Sequence, residues 1–169
     1  NNTLRRMASV ELINELKAIV GSAGWREGDD IDVRHYQDWM GARAILPELL
    51  LRPATTSEVS KILTACHREG QAIAPQGGMT GLVSAAAPLA GEIALSFARM
   101  AAITEVDPYS CTMTVEAGAT LQTIIEQADN QGLLFPLDLG ARGSCTIGGN
   151  LSTNAGGNRV IRYGMTRDL

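Results

Sequence analysis

Residues 140–157, GARGSCTIGGNLSTNAGG, hold six of the eighteen glycines in this chain of 169 residues. The same stretch contains two serines, two threonines and two asparagines, and no acidic residue. Glycines let a backbone turn with positive φ, and consecutive N–H groups in such a turn form a concave binding site for anions. The stretch therefore predicts a loop around a bound polar ligand, most simply a phosphorylated cofactor. A mobile glycine linker is the alternative, and the apolar pair Ile147 and Leu151 favours the ligand loop.

The composition limits the class of protein. A formal net charge of −4 gives no indication of a nucleic-acid partner. The hydrophobic content of 45% is that of an ordinary globular chain, and aromatic residues make up only 4%, which predicts an aliphatic core. No apolar run approaches the roughly 20 residues of a membrane helix, and no signal peptide is recognisable.

The three cysteines, Cys66, Cys111 and Cys145, are widely spaced and match neither a disulfide framework nor a metal motif. We therefore expect a reducing, cytoplasmic location. Because the first residue is not Met, we expect a processed product or a part of a longer chain.

Residues 1–44 predict a helical arm and an ordered loop. Residues 1–21 are expected to form a helix that Ser9 caps and Gly21 ends. Residues 24–41 are polar and acidic with interspersed aromatic residues, which indicates an irregular but ordered segment. His35 lies in this segment, and a single histidine in such a loop is interpreted as a surface residue.

Residues 49–75 predict a strand, a helix and a second strand. A short apolar run occupies 49–51, and Thr55 with Glu58 fits a capping box at the start of a helix. An apolar face at helical spacing follows, formed by Val59, Ile62, Leu63 and Cys66. Residues 72–74 form the second strand, so the order predicts a right-handed βαβ unit with parallel strands.

A second glycine-rich turn, PQGGMTGL at residues 75–82, follows the second strand. Open α/β sheets bind ligands at the carboxyl ends of parallel strands, which is where this turn lies. Its spacing is neither that of the G-x-G-x-x-G dinucleotide motif nor that of a Walker A loop, because no lysine follows. We expect this turn and residues 140–157 to converge on one elongated phosphate ligand.

The second half of the chain predicts further strands and a helix. Residues 93–97 predict a third strand, and residues 103–106 and 112–115 a strand pair with a turn at Asp107. Thr120 is expected to cap a helix. The last 29 residues contain a single acid and several arginines, which suits a neighbouring anion, although scattered surface arginines are an equal alternative: Arg142, Arg159, Arg162 and Arg167.

Several motifs occur together in an order that identifies a family. They are LRP at 51–53, PQGGMTG at 75–81, EVDP at 105–108, VEAG at 115–118, FPLD at 135–138, SCTIGGN at 144–150, TNAGG at 153–157 and RYG at 162–164. Over residues 45–169 the chain closely resembles the FAD-binding domain of the p-cresol methylhydroxylase and vanillyl-alcohol oxidase family. Within that family it is most similar to the D-2-hydroxy acid dehydrogenases, which act on D-lactate, glycolate or D-2-hydroxyglutarate.

The resemblance implies an α+β fold of the p-cresol methylhydroxylase type. The FAD-binding domain would occupy residues 45–169 in truncated form. A small parallel βαβ subdomain at 45–100 would be followed by a second, partly antiparallel sheet subdomain at 101–169, with FAD between them.

The resemblance also implies which residues bind the cofactor. The backbone N–H groups of the first loop would hold the FAD diphosphate, and its residues are Pro75, Gln76, Gly77, Gly78, Met79, Thr80, Gly81 and Leu82. A second wall around the diphosphate and the flavin would consist of Pro136, Leu137, Asp138, Gly143, Ser144, Cys145, Ile147, Gly148, Gly149 and Asn150. The positions that follow on the same segment would also lie close to the cofactor: Thr153, Asn154, Gly156 and Gly157. Cys145 is interpreted as a packing residue.

Two positions depart from the family pattern. Gln76 stands where many relatives have arginine, so the backbone N–H groups are expected to bind the diphosphate alone. Met79 stands where some covalent flavoproteins have histidine, so FAD is expected to be non-covalent. Neither a catalytic base nor a metal site is assigned, because the family places its substrate-binding domain beyond Leu169.

The resemblance implies an enzyme that oxidises a D-2-hydroxy acid to the 2-oxo acid by hydride transfer to flavin N5. Its partners would be a small-molecule 2-hydroxy acid substrate and a separate electron acceptor, and this chain alone is expected to be inactive. Two alternatives stay open: another FAD-linked oxidase or reductase of the same fold, and an inactive flavin-binding module. Peripheral membrane association and homo-oligomer formation also stay open.

Overall fold

The computed structural model describes residues 7–41 and 44–169 of the chain. The chain divides into two compact units, Asn1–Arg99 and Met100–Leu169. Both contain helices and strands, which confirms the predicted α+β class. No helix in the described ranges combines the length and the apolar character needed to cross a membrane. The predicted boundary after residue 44 stays a prediction.

The described part of the first unit contains a four-stranded sheet with the order β1-β2-β4-β3. Its strands are β1 (Trp25–Arg26), β2 (Leu50–Leu51), β3 (Ile73–Gln76) and β4 (Ile93–Ser96). The strands β2, β3 and β4 run parallel, and β1 runs antiparallel to β2. The predicted parallel direction is confirmed, but β2 and β3 are not neighbours, because the later strand β4 lies between them.

The first helix, α1 (Val10–Val20), is shorter than predicted. The Ser9 hydroxyl accepts the Leu12 N–H at 3.1 Å, and Gly21 ends the helix with a φ of 64°. Both predicted ends of the apolar segment are therefore confirmed. Residues 7–9 are not helical, and residues 1–6 of the predicted helix lie outside the described residues.

The second helix, α2 (Thr56–Glu69), begins where the capping pattern predicts. The Thr55 hydroxyl accepts the Glu58 N–H at 3.2 Å. The Glu58 carboxylate accepts the N–H of Ala54 at 2.7 Å, instead of the Thr55 N–H that a capping box requires. The carboxylate thus satisfies a donor that lies one residue further from the helix.

The core of the first unit lies between α1, α2 and one face of the sheet. Alternate strand residues point to this face, including Leu49, Leu51, Ile93 and Leu95. The face of α2 differs from the predicted one, because Ala65 is buried in this core, whereas Leu63 is 48% exposed. Helix α1 contributes the apolar side chains of its i, i+4 stripe, Leu12, Leu16 and Val20.

The opposite face of this sheet is covered by residues of the segment 24–41. Ile31 and Tyr36 pack on Leu50 and Ala94, the strand residues that point away from the helices. The prediction of an ordered aromatic segment is confirmed at Tyr36, whereas Trp39 is exposed. This layer matters for the site, because it places residues 33–35 against the end of β3.

The second unit combines a β-hairpin with helices. Its elements are β5 (Ile103–Asp107), β6 (Thr112–Val115), α3 (Leu121–Asn130), α4 (Ile147–Ser152) and α5 (Val160–Tyr163). The strands β5 and β6 pair antiparallel as predicted, and the Asp107 carboxylate accepts two backbone N–H groups of the turn. Thr120 caps α3 as predicted. The core joins the hairpin to α3 and α4 through Ala119, Ile124 and Ile147.

Candidate functional site

Residues 77–82 form an irregular loop directly after β3, at the carboxyl end of the parallel strands. None of their backbone N–H groups donates a hydrogen bond to an acceptor within the described ranges 7–41 and 44–169. Met79 adopts a left-handed φ of 56° between its glycine and threonine neighbours. A left-handed residue in such a run lets successive N–H groups converge, which is the geometry of an anion-binding nest. The loop therefore has the geometry of a candidate site for phosphate oxygens.

Gln76 ends β3 and is completely buried. Its amide Nε2 donates to the carbonyl oxygens of His35 at 2.6 Å and of Ala86 at 3.1 Å. Its Oε1 lies 2.9 Å from Nδ1 of His35. Every polar atom of the side chain thus has a partner inside the protein. The side chain ties the end of β3 to His35 and Ala86 instead of pointing to a ligand.

The prediction of His35 as a surface residue is wrong. His35 is only 6% exposed, since the segment 24–41 covers the sheet. Burial lowers the pKa of His35, and the hydrogen bond with Gln76 acts in the opposite direction. The apolar neighbours Ile31 and Tyr36, which pack on the sheet, are the signal in the sequence that indicates a buried segment.

The stretch 140–157 differs from the predicted loop, because residues 147–152 form helix α4. The Thr146 hydroxyl accepts the N–H of Gly149, which caps this helix. None of the glycines in the stretch has a positive φ, and the left-handed residue is Asn154 with a φ of 47°. The glycines therefore serve a different purpose from the predicted turns.

Gly148 and Gly157 allow close packing within the second unit. A Cβ on Gly148 would lie 2.8 Å from the carbonyl oxygen of Ala117. A Cβ on Gly157 would overlap the carbonyl oxygen of Asp138. Both glycines bring two backbone segments into contact where no side chain fits. Gly143, by contrast, faces open space.

Most N–H groups of this stretch are satisfied by the unit itself. Ser144 and Cys145 donate to the Ala141 carbonyl, and Gly148 donates to the Ala117 carbonyl. Among the predicted residues here, Gly143, Gly156 and Gly157 keep N–H groups without an acceptor in the described chain. Every N–H group of residues 77–82 lacks such an acceptor, so that loop offers the denser set of ligand donors.

Asp138 is held by two arginines rather than facing a ligand alone. Its carboxylate oxygens lie 3.6 Å from Nη1 of Arg142 and 3.8 Å from Nη2 of Arg159. The predicted basic character of the end of the chain is partly neutralised by these pairs. Arg162 lies over the ring of Tyr163, 5.3 Å from its centroid.

Other predicted residues lie in the core of the second unit. Leu137 and Cys145 pack against Leu121, and Asn150 is buried with its Nδ2 3.8 Å from the Cys145 sulfur. Burial raises the pKa of the Cys145 thiol. These side chains pack inside the second unit, which is the role predicted for Cys145.

The polar residues around them differ in exposure. Ser144 and Thr153 are exposed, and the Thr153 hydroxyl donates to the Gly149 carbonyl at 3.0 Å. Asn154 accepts the N–H of Arg167 at 3.2 Å. The remaining predicted residues are partly exposed or exposed and leave backbone or ring surface accessible: Pro75, Gly81, Leu82, Pro136 and Gly149.

Comparison with known proteins gives a match of residues 47–169 to a family described as FAD binding domain. A probable mitochondrial D-2-hydroxyglutarate dehydrogenase from Oryza sativa subsp. indica is 44% identical over 152 residues, which is 90% of this chain and 27% of that protein. A mitochondrial D-2-hydroxyglutarate dehydrogenase from Bos taurus is 45% identical over 130 residues, which is 77% of this chain and 24% of that protein. The chain thus spans about a quarter of the length of these curated relatives.

Two solved structures share the fold. An alkyldihydroxyacetonephosphate synthase matches with a TM-score of 0.86 at 22% identity, over 98% of this chain and 33% of that one. A p-cresol methylhydroxylase with bound substrate matches with a TM-score of 0.72 at 21% identity, over 90% of this chain and 31% of that one. The predicted fold of the p-cresol methylhydroxylase type is confirmed.

The prediction of a cytoplasmic location is wrong. It depended on the cysteine pattern and on the lack of a recognisable signal peptide. The relatives from Oryza sativa and Bos taurus both carry the word mitochondrial in their names.

Proposed function

Since this chain belongs to the FAD binding domain family, we propose that the full-length protein is a flavoenzyme that oxidises a D-2-hydroxy acid to the 2-oxo acid. The names of relatives with 44% and 45% identity support D-2-hydroxyglutarate as the first substrate to test. When bound, FAD supplies the acceptor for the hydride that leaves the hydroxyl-bearing carbon. A separate electron acceptor completes the proposed cycle.

The observation that carries the cofactor part of the proposal is the row of N–H groups in residues 77–82 that find no acceptor in the described chain. A diphosphate needs several converging donors, and backbone N–H groups can supply them without a metal ion. Gly77 and Gly78 have no Cβ, so phosphate oxygens can approach their backbone closely. We assign the diphosphate to this loop.

Residues 136–157 have a smaller proposed part in holding FAD. The N–H groups of Gly143, Gly156 and Gly157 and the exposed hydroxyl of Ser144 are donors with which this segment would contact the cofactor. The buried side chains support these donors from the core and do not contact FAD themselves in this proposal; they are Leu137, Cys145 and Asn150. We propose that FAD is bound non-covalently, since the thioether of Met79 has no proton to lose and would form a charged sulfonium on attachment.

The function is tested with the purified full-length protein. Its visible spectrum should show an oxidised flavin that acid precipitation releases into the supernatant. Anaerobic addition of D-2-hydroxyglutarate should bleach the flavin band, with D-lactate and glycolate as parallel substrates. If none of the three acids bleaches a protein that contains flavin, the substrate class is wrong. Bleaching by an alcohol or a sugar instead would favour another oxidase of the same fold.

The loop assignment is tested by Gly78→Val in the full-length protein. The branched side chain would stand where phosphate oxygens should approach the backbone. We expect FAD affinity to fall by about tenfold or more, measured by flavin fluorescence quenching of the apoprotein. The control is Ala101→Val, because Ala101 is exposed and lies outside both glycine-rich segments. If Gly78→Val binds FAD as tightly as the control and the wild type do, the diphosphate lies elsewhere.

A further inference from the structure

Arg52 lies at the carboxyl end of β2, on the same edge of the parallel sheet as the start of the 77–82 loop. Its backbone N–H donates to the Gly24 carbonyl at 2.7 Å. Arg99, which follows β4, donates from Nη1 to the Arg52 carbonyl at 2.9 Å. Arg26 lies on β1, which pairs with β2. Three arginines therefore meet at the end of this sheet.

A fourth arginine comes from the layer that covers the sheet. Nε of Arg34 lies 3.3 Å from Nε2 of His35, the residue that is hydrogen-bonded to Gln76. Together these residues form an arginine cluster, which consists of Arg26, Arg34, Arg52 and Arg99. The cluster belongs entirely to the first unit, and it adjoins the end of β3 through His35 and Gln76.

The arginine cluster has no carboxylate at ion-pair distance in the described part of the chain. None of its four members forms an ion pair with a carboxylate there. The nearby Asp32 carboxylate accepts the backbone N–H of Arg34 at 2.9 Å. Burial, followed by repulsion from the other three arginines, lowers the pKa of the Arg52 guanidinium. Like charges held together without a counter-charge are destabilising unless an anion binds among them.

Arg52 also has a donor without a partner. Its Nε is buried and makes no hydrogen bond to the described chain. Buried donors are normally satisfied, and an unsatisfied one costs folding free energy. Arginine presents its N–H groups in a planar fork that matches the oxygens of phosphate. Arg52 as a whole is only half-buried, so an oxyanion bound to its accessible part would neutralise part of the charge.

We propose that the arginine cluster binds a phosphate group, with Arg52 as the residue that contacts its oxygens directly. Four cations favour a multiply charged phosphate or diphosphate over a single carboxylate. Gln76 is neutral and buried, so it supplies no positive charge at this edge of the sheet. The arginine cluster would supply that charge instead. The phosphate comes either from the diphosphate of FAD, in which case the inference rests on the proposed function, or from a free phosphate compound.

The experiment uses full-length apoprotein, prepared by removing the flavin, as wild type and as Arg52→Gln. The probes are FAD, riboflavin, which lacks the phosphates, and inorganic diphosphate. Arg68→Gln is the matched control, because it removes the same charge from an exposed position on α2 that is paired with Glu15. Circular dichroism establishes that each variant is folded.

The two sources of phosphate give different results. If the diphosphate of FAD occupies the site, Arg52→Gln should weaken FAD binding by about tenfold or more and leave riboflavin binding unchanged. If a free phosphate occupies it, inorganic diphosphate should raise the Tm of the wild type but not of Arg52→Gln, with FAD affinity unchanged. Arg68→Gln should behave as the wild type in both arms.

The proposal is overturned if folded Arg52→Gln keeps both the FAD affinity and the diphosphate-induced Tm shift of the wild type. If Arg52→Gln does not fold, Arg34→Gln replaces it, because Arg34 is exposed, and unchanged binding in that variant also overturns the proposal. A wild-type protein that binds no FAD would contradict the proposed function. The diphosphate arm would still decide whether the arginine cluster is a phosphate site.

Discussion

His35 and Gln76 form a buried polar pair beneath the start of the 77–82 loop. The histidine backbone carbonyl and ring each bond to the glutamine amide, so the strand end is tied to the segment that covers the sheet. Breaking one partner would leave a buried polar group unsatisfied, which is costly. The pair is therefore a structural support for the loop rather than a ligand contact.

The pair has a consequence for stability at acid pH. Burial lowers the pKa of His35 in the folded protein, whereas the unfolded chain takes up a proton near pH 6.5. Below that value the unfolded state binds more protons, so stability falls as the pH falls towards the folded pKa. We expect His35→Gln to be less stable than the wild type near neutral pH. Its Tm should decrease less than that of the wild type between about pH 7 and about pH 5.

The control for this prediction is His67→Gln. His67 is the other histidine of the chain and is exposed on α2. The Tm of this variant should follow the wild-type dependence on pH. If the Tm of His35→Gln decreased with falling pH as steeply as that of the wild type, the acid sensitivity would come from other groups.

At the scale of elements, α4 depends on two close backbone approaches. Gly148 brings the start of the helix onto Ala117, and Gly157 brings the following turn onto Asp138. The same turn carries Arg159, which pairs with the Asp138 carboxylate. These contacts order the segment 136–157 from both sides of the helix.

We expect Gly157→Ala to lower the free energy of unfolding by about 1–3 kcal/mol or more, because the new Cβ overlaps a backbone carbonyl that cannot move aside cheaply. Gly143→Ala is the matched control, since Gly143 is exposed and faces open space. Thermal or urea unfolding of both variants measures the difference. Similar stability of the two would mean that the segment can shift to accommodate a side chain.

The helix boundaries of the first unit were predictable because their signals are local. Ser9 and Thr55 accept N–H groups three residues further on, and Gly21 ends its helix with a positive φ. The position of β4 between β2 and β3 was not predictable, because strand order depends on which partners bury the most apolar surface. The sequence also did not reveal that Leu63 faces outward. Leu63 and Ala65 lie at opposite edges of the apolar face around Ile62 and Cys66, and the spacing does not decide which edge packs on the sheet.

At the scale of the whole molecule, this chain supplies only part of the proposed enzyme. It spans about a quarter of the length of the relatives named above. The predicted cofactor residues lie in both of its compact units.

We therefore expect the 169-residue chain alone, even when supplied with FAD, to oxidise neither D-2-hydroxyglutarate nor D-lactate. The measurement is anaerobic flavin reduction, monitored by absorbance, with the full-length protein as the positive control. Reduction of flavin by the short chain at a rate near that of the full-length protein would contradict this expectation. It would also mean that the substrate-binding residues lie within residues 1–169.

The sequence by itself determined the family, the α+β class, the capped helices and the two glycine-rich segments, because motifs and caps are encoded by residues close together in the chain. Only the tertiary structure decided what each glycine does. The glycines at 148 and 157 serve backbone packing, since Ala117 and Asp138 approach them from distant parts of the sequence. The fold leaves every N–H group of residues 77–82 without an acceptor in the described chain, whereas most of those in residues 140–157 are satisfied. The burial of His35 and the meeting of four arginines likewise depend on contacts that no local pattern records.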